Sequence, residues 1–211
     1  MKSINILLIM LLANFGFLLA GCETDDAEVN ETKTSYTLDA ETSVVKWIGS
    51  GPGVTHDGSF AVSSQNLEVV NGQIRKGTFT IPISSIKNFD LPPNLQPALL
   101  EHLKSPDFFN MVLYPEASFT ITEVKPYKGK TPEGVDGANY LITGDFKMLN
   151  KTHQISFPAN VTFQASTLSA KATFKIDRTK WGMTYAADPA LGEHHIYPEV
   201  ALELNLTGRK L

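Results

Sequence analysis

The chain has 211 residues, a net charge of −4 at pH 7 and a single cysteine. The acidic balance, without any cluster of basic and aromatic residues, argues against nucleic acid as a partner. Because one cysteine cannot form an internal disulfide, the fold must be stabilised by its hydrophobic core.

Residues 1–21 have the features of a bacterial export signal. Lys2 precedes a mostly apolar run from Ile4 to Leu19, which is shorter than the ~20 apolar residues of a membrane-spanning helix. Leu19-Ala20-Gly21-Cys22 is typical of a lipobox, in which the cysteine receives a diacylglycerol and the chain is cut before it. We therefore expect a lipoprotein signal peptide over residues 1–21 and lipidation of Cys22.

The segment 22–34 is rich in acidic and small polar residues. Val29 is its one sizeable apolar residue after the cysteine, and such a composition buries too little surface to order a chain. We predict a lipidated cysteine followed by a flexible acidic tether. Acidic residues at this place also resemble the surface-export signals of some bacterial lipoproteins. The expected location is therefore the cell envelope, at the outer membrane, on either the periplasmic side or the cell surface.

From Tyr36 onwards, apolar residues recur at every second position, which is the pattern of half-buried strands. The clearest alternations run from Ala172 to Ile176 and from Val200 to Leu206. Asn71-Gly72, between two such runs, predicts a tight hairpin turn.

One segment, Pro97–Lys104, has helical spacing instead. Pro97 suits a first helical turn, and leucines at 99, 100 and 103 share one face. Ser105-Pro106-Asp107 predicts a second helical turn that carries Phe108 and Phe109.

This amount of helix cannot cover roughly eight to ten strands that each have one apolar face, so the strands must cover one another. Antiparallel strands joined by short turns favour a closed barrel, which leaves no exposed edge. We predict an all-β fold, a single antiparallel β-barrel over residues 35–211 with one short helical insertion.

Several short motifs occur in a specific order between Tyr36 and Leu206. The most specific is the segment from His102 to Phe109, followed by Tyr114-Pro115 and Phe119. The others are His56-Asp57-Gly58, similar to a His-x-Gly turn, and Gly77-Thr78-Phe79, Gly144-Asp145-Phe146, Asp177-Arg178-Thr179 and Trp181-Gly182. In this order they resemble the YceI-like family of lipid- or polyisoprenoid-binding proteins. The resemblance implies a lipocalin-like barrel that holds a long-chain isoprenoid or a similar lipid.

The candidate ligand contacts are inward-facing aromatic residues and a few polar residues near the barrel mouth. The aromatic candidates are Trp47, Phe60, Phe79, Phe108, Phe109, Phe119, Phe146, Phe157, Phe163, Phe174 and Trp181. The polar candidates are His56, His102 and Arg178, of which we expect Arg178 to pair with a carboxylate that fixes the last loop. The alternative is that the aromatic side chains fill the barrel completely.

The sequence contains neither a G-x-S-x-G nor an H-E-x-x-H motif, and we expect no catalytic residue, no metal and no cofactor. His194 and His195 are metal-ligating types, but neighbours on a strand face opposite sides. The predicted function is a membrane-tethered carrier of an apolar long-chain lipid or isoprenoid-like ligand. Two alternatives are a structural or stress-protective envelope lipoprotein with a filled barrel, and a lipid-acting or metal-dependent enzyme. The sequence leaves a homodimer open.

Overall fold

The computed structural model describes residues 31–64, 66–129 and 134–211. The predicted signal peptide, the lipidation site Cys22 and the tether up to residue 30 lie outside these residues. Residues 31–211 form one compact unit. None of the helices in the described ranges has the length and apolar character needed to cross a bilayer.

The described residues form one antiparallel sheet of 12 strands. The strands are β1 (Lys33–Leu38), β2 (Val44–Gly51), β3 (Val54–Ala61), β4 (Leu67–Val70), β5 (Gln73–Lys76), β6 (Thr78–Pro82), β7 (Lys87–Asn88), β8 (Glu116–Pro126), β9 (Tyr140–Met148), β10 (Lys151–Gln164), β11 (Thr167–Asp177) and β12 (Glu199–Lys210). One α-helix, α1 (Gln96–Lys104), follows β7, and short 3-10 turns cover Ile83–Ser85, Arg178–Trp181 and Pro189–His194. The prediction of an all-β barrel with one short helical insertion is confirmed.

The sheet closes on itself into a barrel. Strands β12, β2 and β3 pair in succession, and β6, β8, β9, β10, β11 and β12 complete the circuit. The gap between β3 and β6 is bridged by paired backbone hydrogen bonds of Ser63 and Thr80. A ring of this size encloses either packed side chains or one small ligand.

Strands β1, β4 and β5 extend one end of this barrel. β1 continues the line of β2 along β12 and pairs on its other edge with β4. The antiparallel order places the loops 51–54, 83–115, 149–150 and 178–198 together at the opposite end, here called the mouth end. The end with β1, β4 and β5 is called the closed end, because buried Leu67 and Leu168 pack there.

Local signals in the sequence account for two of these elements. Asn71 and Gly72 both have positive φ, 51° and 76°, and form the two-residue turn between β4 and β5, as predicted. The predicted helix is confirmed as α1. The predicted second turn is present as a single hydrogen-bonded turn over residues 106–109 that does not continue into a helix: the Phe108 amide donates to the Ser105 carbonyl, and the Asp107 amide donates to the Ser105 hydroxyl.

One boundary and one turn differ from the prediction. Lys33 and Thr34, which we assigned to the tether, belong to β1, because their backbones pair with Val70 and Val69 regardless of their polar side chains. His56-Asp57-Gly58 is not a turn but the middle of β3. A Cβ on Gly58 would overlap the Lys87 carbonyl oxygen of β7, so only glycine permits this close approach.

Candidate ligand-binding site

The barrel contains a cavity of about 380 Å³ whose lining is almost entirely apolar. This volume lies within the range of small-molecule pockets. Most of the predicted aromatic residues are in its lining, namely Trp47, Phe60, Phe79, Phe108, Phe109, Phe119, Phe146, Phe157 and Phe174. The structure therefore brings these side chains together, while their contact with a ligand stays a prediction.

The barrel is hollow because small residues occupy part of the wall. Alanines at 117, 159, 170 and 172 line the cavity together with Gly49, and a Cβ built on Gly49 meets nothing within 4 Å. Inward residues of β11 and β12 such as Phe174, Leu202 and Leu204 are only half-buried for the same reason. A barrel filled by its own side chains would bury them fully.

A row of phenylalanines crosses five strands of the wall, with one phenylalanine each on β6, β8, β10 and β11 and Gly144 on β9 between them. Phe157 and Phe174 stack with ring centroids 4.1 Å apart and an angle of 4° between their planes. Phe119 lies 5.5 Å from Phe157, and Phe79 lies 6.3 Å from Phe119. The ring of Phe119 lies over Gly144, where no larger residue would leave it room. The row gives the wall a continuous, rigid apolar surface.

Two predicted residues do not line the cavity. Phe163 lies at the closed end of β10 and packs edge-on against Tyr36, with centroids 6.2 Å apart. Trp181 is fully buried at the mouth end, where its ring packs edge-on against Phe146 and His153 and its indole N–H donates to the Phe146 carbonyl oxygen at 3.0 Å. Both side chains stabilise the barrel from outside the cavity.

The opening of the cavity is at the mouth end. Two of the exposed lining residues, Val54 and Tyr197, lie on loops of this end, and a third, Lys171, lies on β11. Lining residues near the closed end, including Val62, Ile74 and Leu206, are buried. The cavity thus runs from a solvent-accessible mouth to a closed apolar floor.

The three predicted polar residues all line the cavity near this mouth. His102 of α1 stacks edge-on with Phe108 and Tyr185, at centroid distances of 5.0 and 4.9 Å. Its Nε2 lies 3.0 Å from an Asp107 carboxylate oxygen. His102 therefore fixes the turn that carries Phe108 over the opening.

Arg178 is only 3% exposed and clamps the last loop. Its guanidinium donates to the carbonyl oxygens of Met183, Tyr185, Ile196 and Tyr197 at 2.6–3.2 Å. The prediction that Arg178 pairs with a carboxylate is wrong within the described residues, because its guanidinium is hydrogen-bonded to backbone carbonyl oxygens instead. Burial lowers the pKa of Arg178, although the nearby Asp177 charge acts in the opposite direction.

His56 is held by an acid that the sequence analysis did not single out. Its Nδ1 lies 2.7 Å from Asp90, which also accepts hydrogen bonds from the Asp57 amide and the Asn88 side chain. Partial burial raises the pKa of Asp90, but these hydrogen bonds outweigh it and bring the pKa to about 2. Asp90 is thus ionised and orients the imidazole at the cavity wall.

The wall also has one buried donor without a partner in the described ranges. The indole N–H of Trp47 makes no hydrogen bond there, although buried N–H groups are usually paired. A ligand oxygen that reached this group would remove the cost of leaving it unpaired.

Within the described part of the chain, no group of three or more His, Cys, Asp or Glu residues is arranged to hold a metal ion.

Comparison with known proteins identifies relatives of this barrel. Residues 36–208 match the family model described as the YceI-like domain. A UPF0312 protein of Photorhabdus laumondii is 32% identical over 105 residues, which are 50% of this chain and 44% of that protein. The match therefore spans less than half the length of this relative.

Two solved structures share the fold. The BcnA protein of Burkholderia cenocepacia superposes with a TM-score of 0.60 at 16% identity, over 81% of this chain and 98% of that one. A polyisoprenoid-binding domain of Saccharophagus degradans, implicated in plant cell wall breakdown, has a TM-score of 0.60 at 14% identity, over 83% and 98%. At these identities the likeness establishes a common architecture.

Proposed function

The chain belongs to the YceI-like domain family, and from this we propose that its barrel binds an apolar molecule with a long hydrocarbon tail, such as a lipid or an isoprenoid. The observation that carries the proposal is the cavity of about 380 Å³, apolar along its wall and open at one end. The solved relative from Saccharophagus degradans, which is described as polyisoprenoid-binding, supports the same class of ligand.

The energetics favour a tail inside the barrel. Each buried methylene contributes about 0.8 kcal/mol, so a dozen carbons contribute on the order of 10 kcal/mol. Association and ordering cost several kcal/mol, which leaves an affinity that survives purification. The polar end of the ligand belongs at the mouth, near His56 and His102, because the lining towards the closed end is apolar apart from Lys171.

We further propose that the protein is a lipid-anchored carrier of the cell envelope, attached through Cys22. The first strand, β1, begins at Lys33 in the closed end. A tether from Cys22 to Lys33 reaches at most about 40 Å when fully extended. An anchor attached to the closed end leaves the mouth free to exchange its cargo.

Mass spectrometry of organic extracts tests the binding proposal. Residues 31–211, expressed without the signal and the cysteine, should release a long-chain amphiphile on extraction. Protein that yields no lipid, and that fails after delipidation to bind fluorescent fatty-acid or isoprenoid probes, would favour the structural envelope protein instead.

A further inference from the structure

The exposed hydrophobic side chains of the described residues are concentrated at one end of the barrel. Apart from Leu211, every large one lies on the loops of the mouth end. We call this set the apolar rim: Val54, Phe89, Leu95, Val112, Leu113, Tyr185, Leu191 and Tyr197. Val112 is 88% exposed and Leu113 is 66% exposed.

The apolar rim is continuous with the cavity. Val54 and Tyr197 belong both to the rim and to the cavity lining. Tyr185 lies against His102 and Phe108, which themselves line the cavity, at centroid distances of 4.9 and 5.4 Å. The apolar surface of the cavity therefore continues onto the rim at Val54, Tyr185 and Tyr197.

From this geometry we propose that the apolar rim docks on the surface of a lipid bilayer and inserts its loop tips among the acyl chains. A hydrocarbon tail can then pass between the bilayer and the cavity without crossing water. This inference rests on the proposed function for the nature of the cargo, but the docking itself needs only the rim.

A bilayer fits the rim better than a folded protein does. Its members are spread over three separate loops, 51–54, 83–115 and 178–198. Tyrosines such as Tyr185 and Tyr197 are side chains that favour the membrane interface. Exposed tips with aromatic and aliphatic side chains bind membranes through buried apolar area.

The charges of the mouth end indicate the kind of bilayer. The mouth loops 83–115 and 178–198 contain five acidic and four basic residues and so have no excess of positive charge: Asp90, Glu101, Asp107, Asp188 and Glu193 against Lys87, Lys104, Arg178 and Lys180. Attraction to anionic lipids is therefore not the driving force. Binding should occur on zwitterionic phosphatidylcholine and should persist at about 0.5 M NaCl, where exposed charges are screened.

Flotation of residues 31–211 with phosphatidylcholine vesicles tests the docking. This part of the chain can be used alone because all twelve strands and the core lie within it, and it lacks the lipid anchor that would mask the result. The double variant Val112→Ser with Leu113→Ser removes two rim tips without changing the net charge. Leu211→Ser is the matched control, because Leu211 is 72% exposed and lies at the closed end.

Wild type and Leu211→Ser should float with the vesicles, and the double variant should partition about tenfold or more weakly. The double variant should also take up a fluorescent lipid from vesicles more slowly, yet bind the same probe with unchanged affinity when it is added from ethanol. A wild type that stays unbound, or a double variant that floats as well as wild type, would overturn the docking and leave the rim to a protein partner. Flotation without any probe binding would support the docking and contradict the proposed ligand instead.

Discussion

Arg178 is the one charged side chain that is buried among the described residues. Arg178 stabilises the loop that connects the 3-10 turn Arg178–Trp181 to β12. Its guanidinium donates hydrogen bonds to four carbonyl oxygens, two near the start and two near the end of this loop. The planar guanidinium offers five donors in a fixed fork, which lysine does not. The loop beside the cavity mouth therefore depends on one residue.

We predict that Arg178→Lys lowers the free energy of unfolding by about 3 kcal/mol, because several buried carbonyl oxygens lose their donors. Urea unfolding of wild type and variant measures this loss. Hydrogen exchange should show that the amides around Met183 and Ile196 become less protected before the barrel strands do. An unchanged free energy of unfolding in Arg178→Lys would contradict the role of Arg178 in holding this loop.

At the scale of elements, Asp90 connects the segment before α1 to β3. Its carboxylate binds His56 and the Asp57 amide of β3, while Asn88 of β7 donates to the same carboxylate. These bonds need the ionised form of Asp90. They hold the chain that leads into α1 close to the cavity wall.

We predict a stability loss at acid pH that depends on Asp90. Its pKa is about 2 in the folded protein and about 3.9 in an unfolded chain, so its contribution is present above pH 4 and is lost as the pH falls towards 2. Urea unfolding of wild type and Asp90→Asn at several pH values checks this. The difference in free energy of unfolding between wild type and Asp90→Asn should decrease as the pH falls from 4 to 2. A difference that stays constant would contradict the low pKa of Asp90.

The sequence predicts the barrel better than it predicts the details of the site. Alternation on β11 and β12, the Asn71-Gly72 turn and the spacing of α1 are local signals, and each is confirmed. Alternation tells which side of a strand faces inward, but not how deep in the barrel a residue lies. Phe163 is therefore assigned to the cavity in error, because it lies beyond the cavity floor.

Other features depend on contacts between distant segments. Trp181 lies in a 3-10 turn, where no alternation predicts its direction. The two-residue strand β7 has no pattern of its own and forms because Gly58 lets it approach β3. The four carbonyl oxygens around Arg178 are brought together by the conformation of the loop, and the spacing of acidic residues in the sequence does not indicate them.

For the whole molecule, the proposal of a tethered carrier depends on Cys22. We predict that Cys22→Ser moves the protein from the membrane fraction to the soluble fraction, since stable anchoring requires more than one acyl chain and lipidation would supply them at this residue. Fractionation of cells that express each form measures the change, and a thermal melt of residues 31–211 gives the stability reference. A variant that stays wholly with the membrane would contradict lipid anchoring at Cys22.

The central claim is that the ligand occupies the inside of the barrel, and Gly49 offers a direct way to test it. Gly49 lines the cavity, and its missing Cβ faces open space. Gly49→Leu should therefore place a side chain in the cavity without a clash, whereas Gly49→Ala adds a single methyl group and serves as the control.

The decisive measurement is a titration of delipidated wild type, Gly49→Ala and Gly49→Leu with a fluorescent long-chain probe, alongside thermal melts. We expect the leucine variant to remain as stable as wild type and to bind the probe about tenfold or more weakly, a loss of about 1.4 kcal/mol or more. The alanine variant should stay close to wild type. Equal probe affinity in a folded leucine variant would contradict binding inside the barrel.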